Sequence, residues 1–297
     1  MTQKTTAHFS LLATNIFFAI NLTAVKFLIN EKFVQAFGLN FLRVGVTSLL
    51  LWVLYLFKPQ NAVIQKKDYG RFFLCALTGI AINQLLFVKG LSLTYSIHAG
   101  LLILTTPILI TFFAAIILKE RISNYKIIGL LLGIAGALVL ILSKEKTGYP
   151  SNVILGDILI LLNAISYTFY FMLVKPLMKE YNPIMVLRII FSIGFFIMLP
   201  FCLTEFTAIQ WQTFSTNAYI SLFLVVFCGT FLAYLFNIFG IKILGASTTG
   251  AYIYLQPLFA AFIAIIFLGE TLSVYKIIAG VLIFTGVFLA NKQTANG

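Results

Sequence analysis

The chain alternates between long apolar runs and short polar segments. Each run has close to the roughly twenty residues that an α-helix needs to cross the hydrocarbon core of a bilayer. The runs are continuously apolar, whereas the strands of a membrane β-barrel alternate between apolar and polar residues. The pattern therefore predicts an all-α membrane protein with ten transmembrane helices, at 9–29, 36–57, 71–89, 96–118, 124–142, 153–174, 183–203, 217–239, 246–268 and 274–291.

Composition agrees with a helix bundle in lipid. Hydrophobic residues make up 61% of the chain and charged residues only 9%, whereas soluble domains are about half apolar and about a quarter charged. The formal net charge is +12, but Lys and Arg stand in small groups between the apolar runs, as they do at the ends of membrane helices. These scattered groups do not form a continuous basic surface that could bind the phosphate backbone of a nucleic acid. Nucleic acid is therefore not expected as a partner.

The position of the basic residues predicts the orientation in the membrane. With the N-terminus inside, most Lys and Arg residues fall on the inner side, and the loop 58–70 is the longest and most basic inner segment. Basic residues concentrate in cytoplasmic loops of membrane proteins. We therefore expect both termini in the cytoplasm and the protein integral to the cell (cytoplasmic or inner) membrane.

The second half of the chain repeats features of the first. The residues that coincide are Gly90/Gly240, Gly100/Gly250, Pro107/Pro257, Glu120/Glu270 and Gly136/Gly286. They predict two five-helix repeats, residues 1–146 and 147–297, forming one membrane domain. Because five is odd, the repeats run in opposite directions, an arrangement that many secondary transporters use for alternating access around a midplane site.

The same segments resemble a known family. The residues that carry the resemblance are the run from Gly90 through His98-Ala99-Gly100 to Pro107 and Leu118-Lys119-Glu120, its second copy at Pro257 and Leu268-Gly269-Glu270, and the pairs Lys26/Arg43 and Lys175/Arg188. In this order they are similar to the EamA-type transporters of the drug/metabolite transporter superfamily. The resemblance implies a ten-helix fold and transport, often export, of small metabolites such as amino acids.

Polar and aromatic residues deep inside the predicted spans are the candidate substrate contacts. Amides are costly in lipid and should face protein or a watery cavity, although some could instead form hydrogen bonds between helices. The candidates are Asn21, Asn83, Gln84, Thr105, Tyr167, Tyr170, Tyr234, Tyr254 and Gln256. Pro107 and Pro257 lie mid-span, and we expect them to bend their helices around a central cavity.

Four charged residues are candidates for structural or gating roles. Glu120 and Glu270 end the fourth and ninth spans, where the helix dipole disfavours a carboxylate. They should therefore have a structural partner, such as the N-terminus of the next helix, or act as a gate. Lys26 and Lys175 recur at comparable places in the two halves. Snorkelling towards the headgroups and contact with an anionic substrate group both remain open for these two lysines and for Arg43 and Arg188.

The remaining polar residues bear on coupling and assembly. No carboxylate is predicted near the bilayer midplane, Asp157 lying near a span end. We therefore expect facilitated diffusion or exchange without obligatory proton coupling. His98, which titrates near neutral pH when unperturbed, is expected at the interface and is otherwise the candidate coupling residue. Gly129, Gly133 and Gly136 form a stripe for close helix packing, within the chain or at a homodimer seam.

These observations favour a secondary transporter, an exporter or facilitator of small metabolites. The alternatives are a lipid-linked sugar flippase, a channel-like pore and a membrane-embedded enzyme of lipid-carrier chemistry. The sequence has no catalytic motif, so we do not expect an enzyme, and no cofactor or metal site is expected. The identity of the substrate and the direction of transport stay open.

Overall fold

The computed structural model describes residues 3–57, 64–117, 124–142 and 152–291, and over these ranges it is helical without a strand. The first half contains α1 (Gln3–Asn30), α2 (Ala36–Phe57), α3 (Tyr69–Ala76), α4 (Ile82–Leu93), α5 (Ser96–Ile103), α6 (Thr105–Ile117) and α7 (Asn124–Leu142). The second half contains α8 (Val153–Glu180), α9 (Pro183–Thr207), α10 (Thr216–Phe223), α11 (Ala233–Tyr252), α12 (Gln256–Leu268) and α13 (Val274–Asn291). The prediction of an all-α membrane fold is confirmed at this level.

Six continuous helical segments are long and apolar enough to cross a bilayer. They are Gln3–Asn30, Ala36–Phe57, Lys66–Leu93, Val153–Glu180, Pro183–Thr207 and Thr216–Leu244. Four shorter apolar helices overlap the other four predicted spans, at Ser96–Ile110, Ile127–Val139, Gln256–Leu268 and Val274–Gly286.

Two of the long segments contain a π-helical stretch. Leu77–Ala81 joins α3 to α4, and Leu224–Leu232 joins α10 to α11. A π turn holds one residue more than an α turn and is often found at functional sites. The apolar pattern of the sequence gives no signal for either stretch, because both are as hydrophobic as the helix around them.

Each of the two prolines predicted to bend a helix lies close to an interruption of the α-helix. In the second half, the 3₁₀ turn Ile253–Leu255 separates α11 from α12, and Pro257 lies in the first turn of α12. Proline suits that position because the first N–H groups of a helix have no intrahelical partner. In the first half, Leu104 separates α5 from α6, three residues before Pro107. The side chain of Pro107 lies outside the described residues.

The two halves pack into one bundle. The most extensive helix contacts are α7 with α13, α2 with α9, α4 with α8, and α1 with α11 and α12, and each pairs one half with the other. Buried apolar side chains form two clusters. One includes Leu28, Ile97 and Ala264. The other includes Phe72, Met178 and Phe191.

Candidate functional site

A cavity of about 90 Å³ lies between helices of both halves. Its lining is Phe18, Asn21, Arg43, Asn83, Gln84, Phe87, Ile103, Thr106, Asn163, Tyr167, Tyr234, Asn237, Ile253 and Gln256. The two helix interruptions border it. Ile103 and Thr106 lie on either side of the break at Leu104, and Ile253 and Gln256 are the first residues of the 3₁₀ turn and of α12. The site is therefore an amphipathic cavity built where the helices of both halves are discontinuous.

Six of the predicted substrate contacts line this cavity: Asn21, Asn83, Gln84, Tyr167, Tyr234 and Gln256. The Gln84 side chain donates from Nε2 to the Tyr234 hydroxyl at 2.7 Å. The amide oxygens of Asn21 and Gln84 are buried and have no hydrogen-bond partner. Both residues thus carry a buried acceptor whose hydrogen-bonding capacity is unused.

Asn83 also joins helices. Its Nδ2 donates to the backbone oxygen of Asn163 at 3.4 Å, and Nδ2 of Asn163 donates to the backbone oxygen of Asn83 at 2.8 Å. This reciprocal pair fixes α4 against α8 beside the cavity. Asn83 therefore serves as an interhelical contact as well as a lining residue, and its contact with a substrate stays a prediction.

Two of the other three predicted substrate contacts, Thr105 and Tyr170, lie outside this cavity. Thr105 faces a separate apolar pocket between α6, α7 and α8, and its hydroxyl donates to the Leu102 carbonyl at 2.7 Å. Its neighbour Thr106 lines the cavity, because successive helix residues point about 100° apart. Tyr170 is buried against Gly79 of the first π stretch, outside the lining. The side chain of Tyr254 lies outside the described residues.

Arg43 lines the cavity, and it is one of the four basic residues for which snorkelling and contact with an anionic substrate group were both left open by the sequence. It lies inside α2 and is only 2% exposed, so it does not snorkel to the headgroups. Its Nε donates to the Thr230 hydroxyl at 3.0 Å, and its guanidinium lies 5.6 Å from the centre of the Phe87 ring.

Glu270 and Lys26 lie at one end of the bundle, on either side of the break between α4 and α5. The Glu270 carboxylate accepts hydrogen bonds from the backbone N–H groups of Ser96 at 2.8 Å and Ile97 at 3.0 Å. Lys26 Nζ donates to the carbonyls of Leu91 at 3.0 Å and Thr94 at 2.5 Å. The anion thus meets the first N–H groups of α5, and the cation meets the last carbonyls of α4.

The residues expected to mirror this pair differ from it. Lys175 is exposed on α8, while Lys26 is 2% exposed, so the two lysines do not share an environment. Glu120 lies outside the described residues. Glu205 has the contact that Glu270 has: its carboxylate accepts from the N–H groups of Phe37 at 2.6 Å and Gly38 at 3.0 Å, at the start of α2.

His98 and Asp157 form a pair that the sequence did not predict. His98 Nδ1 lies 2.9 Å from a carboxylate oxygen of Asp157, the Thr94 hydroxyl donates to the other oxygen, and both side chains are completely buried. His98 therefore lies in the first turn of α5 with its side chain buried inside the bundle. The signal was missed because Asp157 stands close to the start of α8, where a carboxylate ordinarily meets water.

Comparisons with known proteins agree with this architecture. The model of the EamA-like transporter family matches twice, over residues 5–142 and 154–292. A protein of Archaeoglobus fulgidus described as an uncharacterized transporter is 24% identical, with 99% of each chain covered. Another from Methanothermobacter thermautotrophicus is 27% identical, covering 95% of this chain and 85% of its own.

Two further similarities extend the comparison. A WAT1-related protein of Arabidopsis thaliana is 24% identical and covers 79% of this chain and 71% of its own. A solved crystal structure with 19% sequence identity superposes with a TM-score of 0.61, covering 94% of this chain and 96% of the other, and shows the same fold. With its apolar helices and two family matches, the chain belongs to the EamA-like transporter family and is an integral membrane transporter rather than an enzyme.

Proposed function

We propose that the chain is a secondary transporter that moves small metabolites, such as amino acids, as an exporter or facilitator. The observation that carries the proposal is the cavity itself, which is lined by polar side chains from both halves and bordered by two interrupted helices. Transporters of this type bind their substrates at the interface of two repeats, where discontinuous helices expose backbone polar groups.

The proposed architecture is ten transmembrane helices in two inverted repeats, with both termini in the cytoplasm. Three observations support it. Four shorter apolar helices accompany the six long segments, and the family model matches each half separately. The packing of α1 on α11 is mirrored by that of α8 on α4.

Counterflow in proteoliposomes tests the transport function. Vesicles containing the purified protein and a high internal concentration of one metabolite should take up the labelled metabolite saturably. Tyr234→Phe removes a hydroxyl at the cavity and should reduce the rate, whereas Tyr170→Phe makes the same change outside the cavity and should not. Flux without saturation would indicate a channel-like pore, and a chemically changed product would indicate an enzyme.

The same vesicles test coupling. We propose exchange or facilitated diffusion without obligatory proton coupling, because the described residues that line the cavity include neither a carboxylate nor a histidine. Uptake should follow the substrate gradient and change little with an imposed pH gradient or an uncoupler. Uphill accumulation driven by the pH gradient, and lost in His98→Ala, would contradict this and identify His98 as the coupling residue.

A further inference from the structure

A lipid-facing groove lies between α2 and α9. It has a volume of about 400 Å³, and its lining includes Gly45, Leu49, Trp52 and Phe196. Leu49 is 66% exposed and Phe196 is 71% exposed, so the groove opens outward from the bundle. In an integral membrane protein, an apolar surface of this kind faces acyl chains rather than water. Among the described residues, the groove and the central cavity have no lining residue in common.

The length of the groove matches one leaflet of a bilayer. Along α2 its lining runs from Phe41 to Trp52, which corresponds to about 16 Å of helix. One leaflet contributes half of the hydrocarbon core, that is about 15 Å. Gly45 lets the Phe195 ring lie close against α2, because a Cβ at this position would lie 2.9 Å from Phe195 Cε2. The groove therefore fits a single acyl chain that lies along the two helices.

One end of the groove is polar. Trp52 Nε1 donates to the Ser192 hydroxyl at 3.0 Å, and the hydroxyls of Ser48 and Ser192 lie 3.1 Å apart. The Ser192 hydroxyl donates to the backbone oxygen of Arg188 at 2.8 Å, one helical turn earlier in α9. Arg188 thus lies just beyond the polar end of the groove, where α2 is close to its last residue and α9 has just begun.

Arg188 is a buried cation without a counter-ion in the described part of the chain. It is 8% exposed, and its Nε and Nη1 have no hydrogen-bond partner. Its guanidinium lies over the rings of Trp52 and Tyr55, 4.5 and 3.6 Å from their centres, and so stays beside the wall that Trp52 forms. Such cation–π contacts orient the group, but they replace neither its hydration nor an anionic partner. The guanidinium therefore retains its charge for an anion that the described residues do not supply.

Arg188 lies at the depth of the lipid headgroups. It is the sixth residue of α9, which begins at Pro183, so it lies about 8 Å along the helix from its start. Trp and Tyr are enriched where acyl chains meet headgroups, and Trp52 and Tyr55 occupy the corresponding part of α2, which ends at Phe57. An arginine at this depth can bind a phosphate while the groove holds the attached chain.

The surrounding charges favour an anionic lipid. At the same end of the bundle, Glu180 pairs with Lys67 at 3.5 Å and Asp68 pairs with Arg71 at 3.3 Å. These two carboxylates are thus engaged, and the exposed Lys179 adds positive charge. Basic pockets between membrane helices bind anionic headgroups, and the planar fork of arginine matches the oxygens of a phosphate.

We propose that the groove binds one anionic phospholipid from the leaflet at the end where α9 begins, with the phosphate on Arg188 and an acyl chain between α2 and α9. A second copy of the chain is a less suitable occupant. In a two-fold dimer the same patch meets itself, and the described lining of the groove holds no carboxylate that could pair with Arg188. The inference concerns a site outside the central cavity and does not depend on the identity of the substrate.

The fluorescence of Trp52 tests the site, because this residue forms part of its wall. The chain has two tryptophans, and Trp211→Phe leaves Trp52 as the single indole fluorophore. The protein is reconstituted in phosphatidylcholine with brominated acyl chains, which quench tryptophan on contact. Part of this lipid is then replaced by unbrominated phosphatidylglycerol or, as the reference, by unbrominated phosphatidylcholine with the same chains.

Phosphatidylglycerol should displace the quenching lipid from Trp52 about fivefold more effectively than phosphatidylcholine does, the usual effect of one basic residue near an anionic headgroup. Trp52→Phe leaves only Trp211, which lies outside the lining of the groove. That control should report no preference between the two lipids.

Substitutions of the arginine locate the headgroup. Arg188→Gln, in the Trp211→Phe chain, should remove the preference for phosphatidylglycerol. Arg188→Lys keeps the charge without the planar fork and should give an intermediate preference. The matched control is Lys179→Gln, which removes a positive charge at the same end but outside the lining of the groove. This control should retain the preference.

Equal displacement by the two lipids would overturn the inference, whether or not Arg188→Gln folds. An unchanged preference in Arg188→Gln, or an equal loss of preference in Lys179→Gln, would overturn the role of Arg188. Absence of Trp52 quenching by the brominated lipid, together with a dimer on crosslinking, would assign the groove to a second copy of the chain and also overturn the inference.

Discussion

At the scale of single residues, the half-buried carboxylates of Glu270 and Glu205 accept hydrogen bonds from backbone N–H groups. A helix leaves its first N–H groups without an intrahelical acceptor, and these two side chains supply one at α5 and α2. The sequence showed that Glu270 stood at an unfavourable helix end and needed a partner. It did not show which one, because Ser96 and Ile97 are far away in the chain and neither carries a sequence signal for this contact.

Glu270→Gln should destabilise the protein by about 1–3 kcal/mol, since a neutral amide replaces a carboxylate that accepts two backbone hydrogen bonds. The apparent melting temperature of the purified protein in detergent measures this effect. Glu180→Gln is the control: Glu180 pairs with Lys67 at 3.5 Å at the surface, and such exposed pairs contribute about 0–1 kcal/mol. An unchanged melting temperature together with abolished transport would instead assign Glu270 to a gate.

At the scale of helices, α7 and α13 approach so closely that their backbones nearly touch. A Cβ added at Gly286 would lie 2.6 Å from the Gly129 carbonyl oxygen and 2.9 Å from the Gly133 nitrogen. The glycine stripe predicted on α7 is therefore used within the chain, against α13. The sequence marked the small residues but not their partner, because such stripes suit contacts within one chain and between two chains equally.

Gly286→Ala should force α7 and α13 apart and lower both the yield and the melting temperature of the protein. Gly280→Ala, on the same helix, should be tolerated, because the nearest atom to its added Cβ is a side-chain carbon of Leu101 at 3.5 Å, an ordinary contact. Fluorescence-detected gel filtration after heating compares the two variants. Equal stability of the two proteins would contradict the packing described for α7 and α13.

At the scale of the molecule, the periodicity and composition of the sequence were sufficient for the helical class and for most helix positions. Apolar runs of about twenty residues have few alternatives in lipid. The cavity was only partly predictable. Amides and tyrosines stand out against an apolar background, so Asn21 and Gln256 were found, but Phe18 and Ile103 look like any residue that faces lipid. The sequence also does not tell which of the adjacent residues Thr105 and Thr106 faces the cavity, because that depends on how α6 packs.

The orientation in the membrane is testable at this scale. Lys67 contacts Glu180 just before α9 begins, and Thr213 follows the end of that helix. A helix of 25 residues is about 37 Å long, so the two residues lie at opposite ends of the bundle. We expect Lys67 inside and Thr213 outside, following the distribution of basic residues.

Single cysteines introduced at these two positions measure the orientation. They are placed in a variant from which Cys75, Cys202 and Cys228 have been removed. In right-side-out vesicles, a membrane-impermeant maleimide should label Thr213→Cys at once and Lys67→Cys only after permeabilisation. Labelling of both residues before permeabilisation would contradict the ten-helix topology, and the reverse pattern would invert the orientation.

The contact between Glu270 and the start of α5 also sets an order of events during biosynthesis. The ribosome completes Ser96 174 residues before it adds Glu270, an interval of about 9–35 s at ordinary elongation rates. Throughout that time the N–H groups of Ser96 and Ile97 lack the acceptor that they have in the finished protein. The first half of the chain is therefore in the membrane without this contact until the second half has been synthesised. If the two halves are expressed as separate chains, these N–H groups should gain their acceptor only when the halves associate.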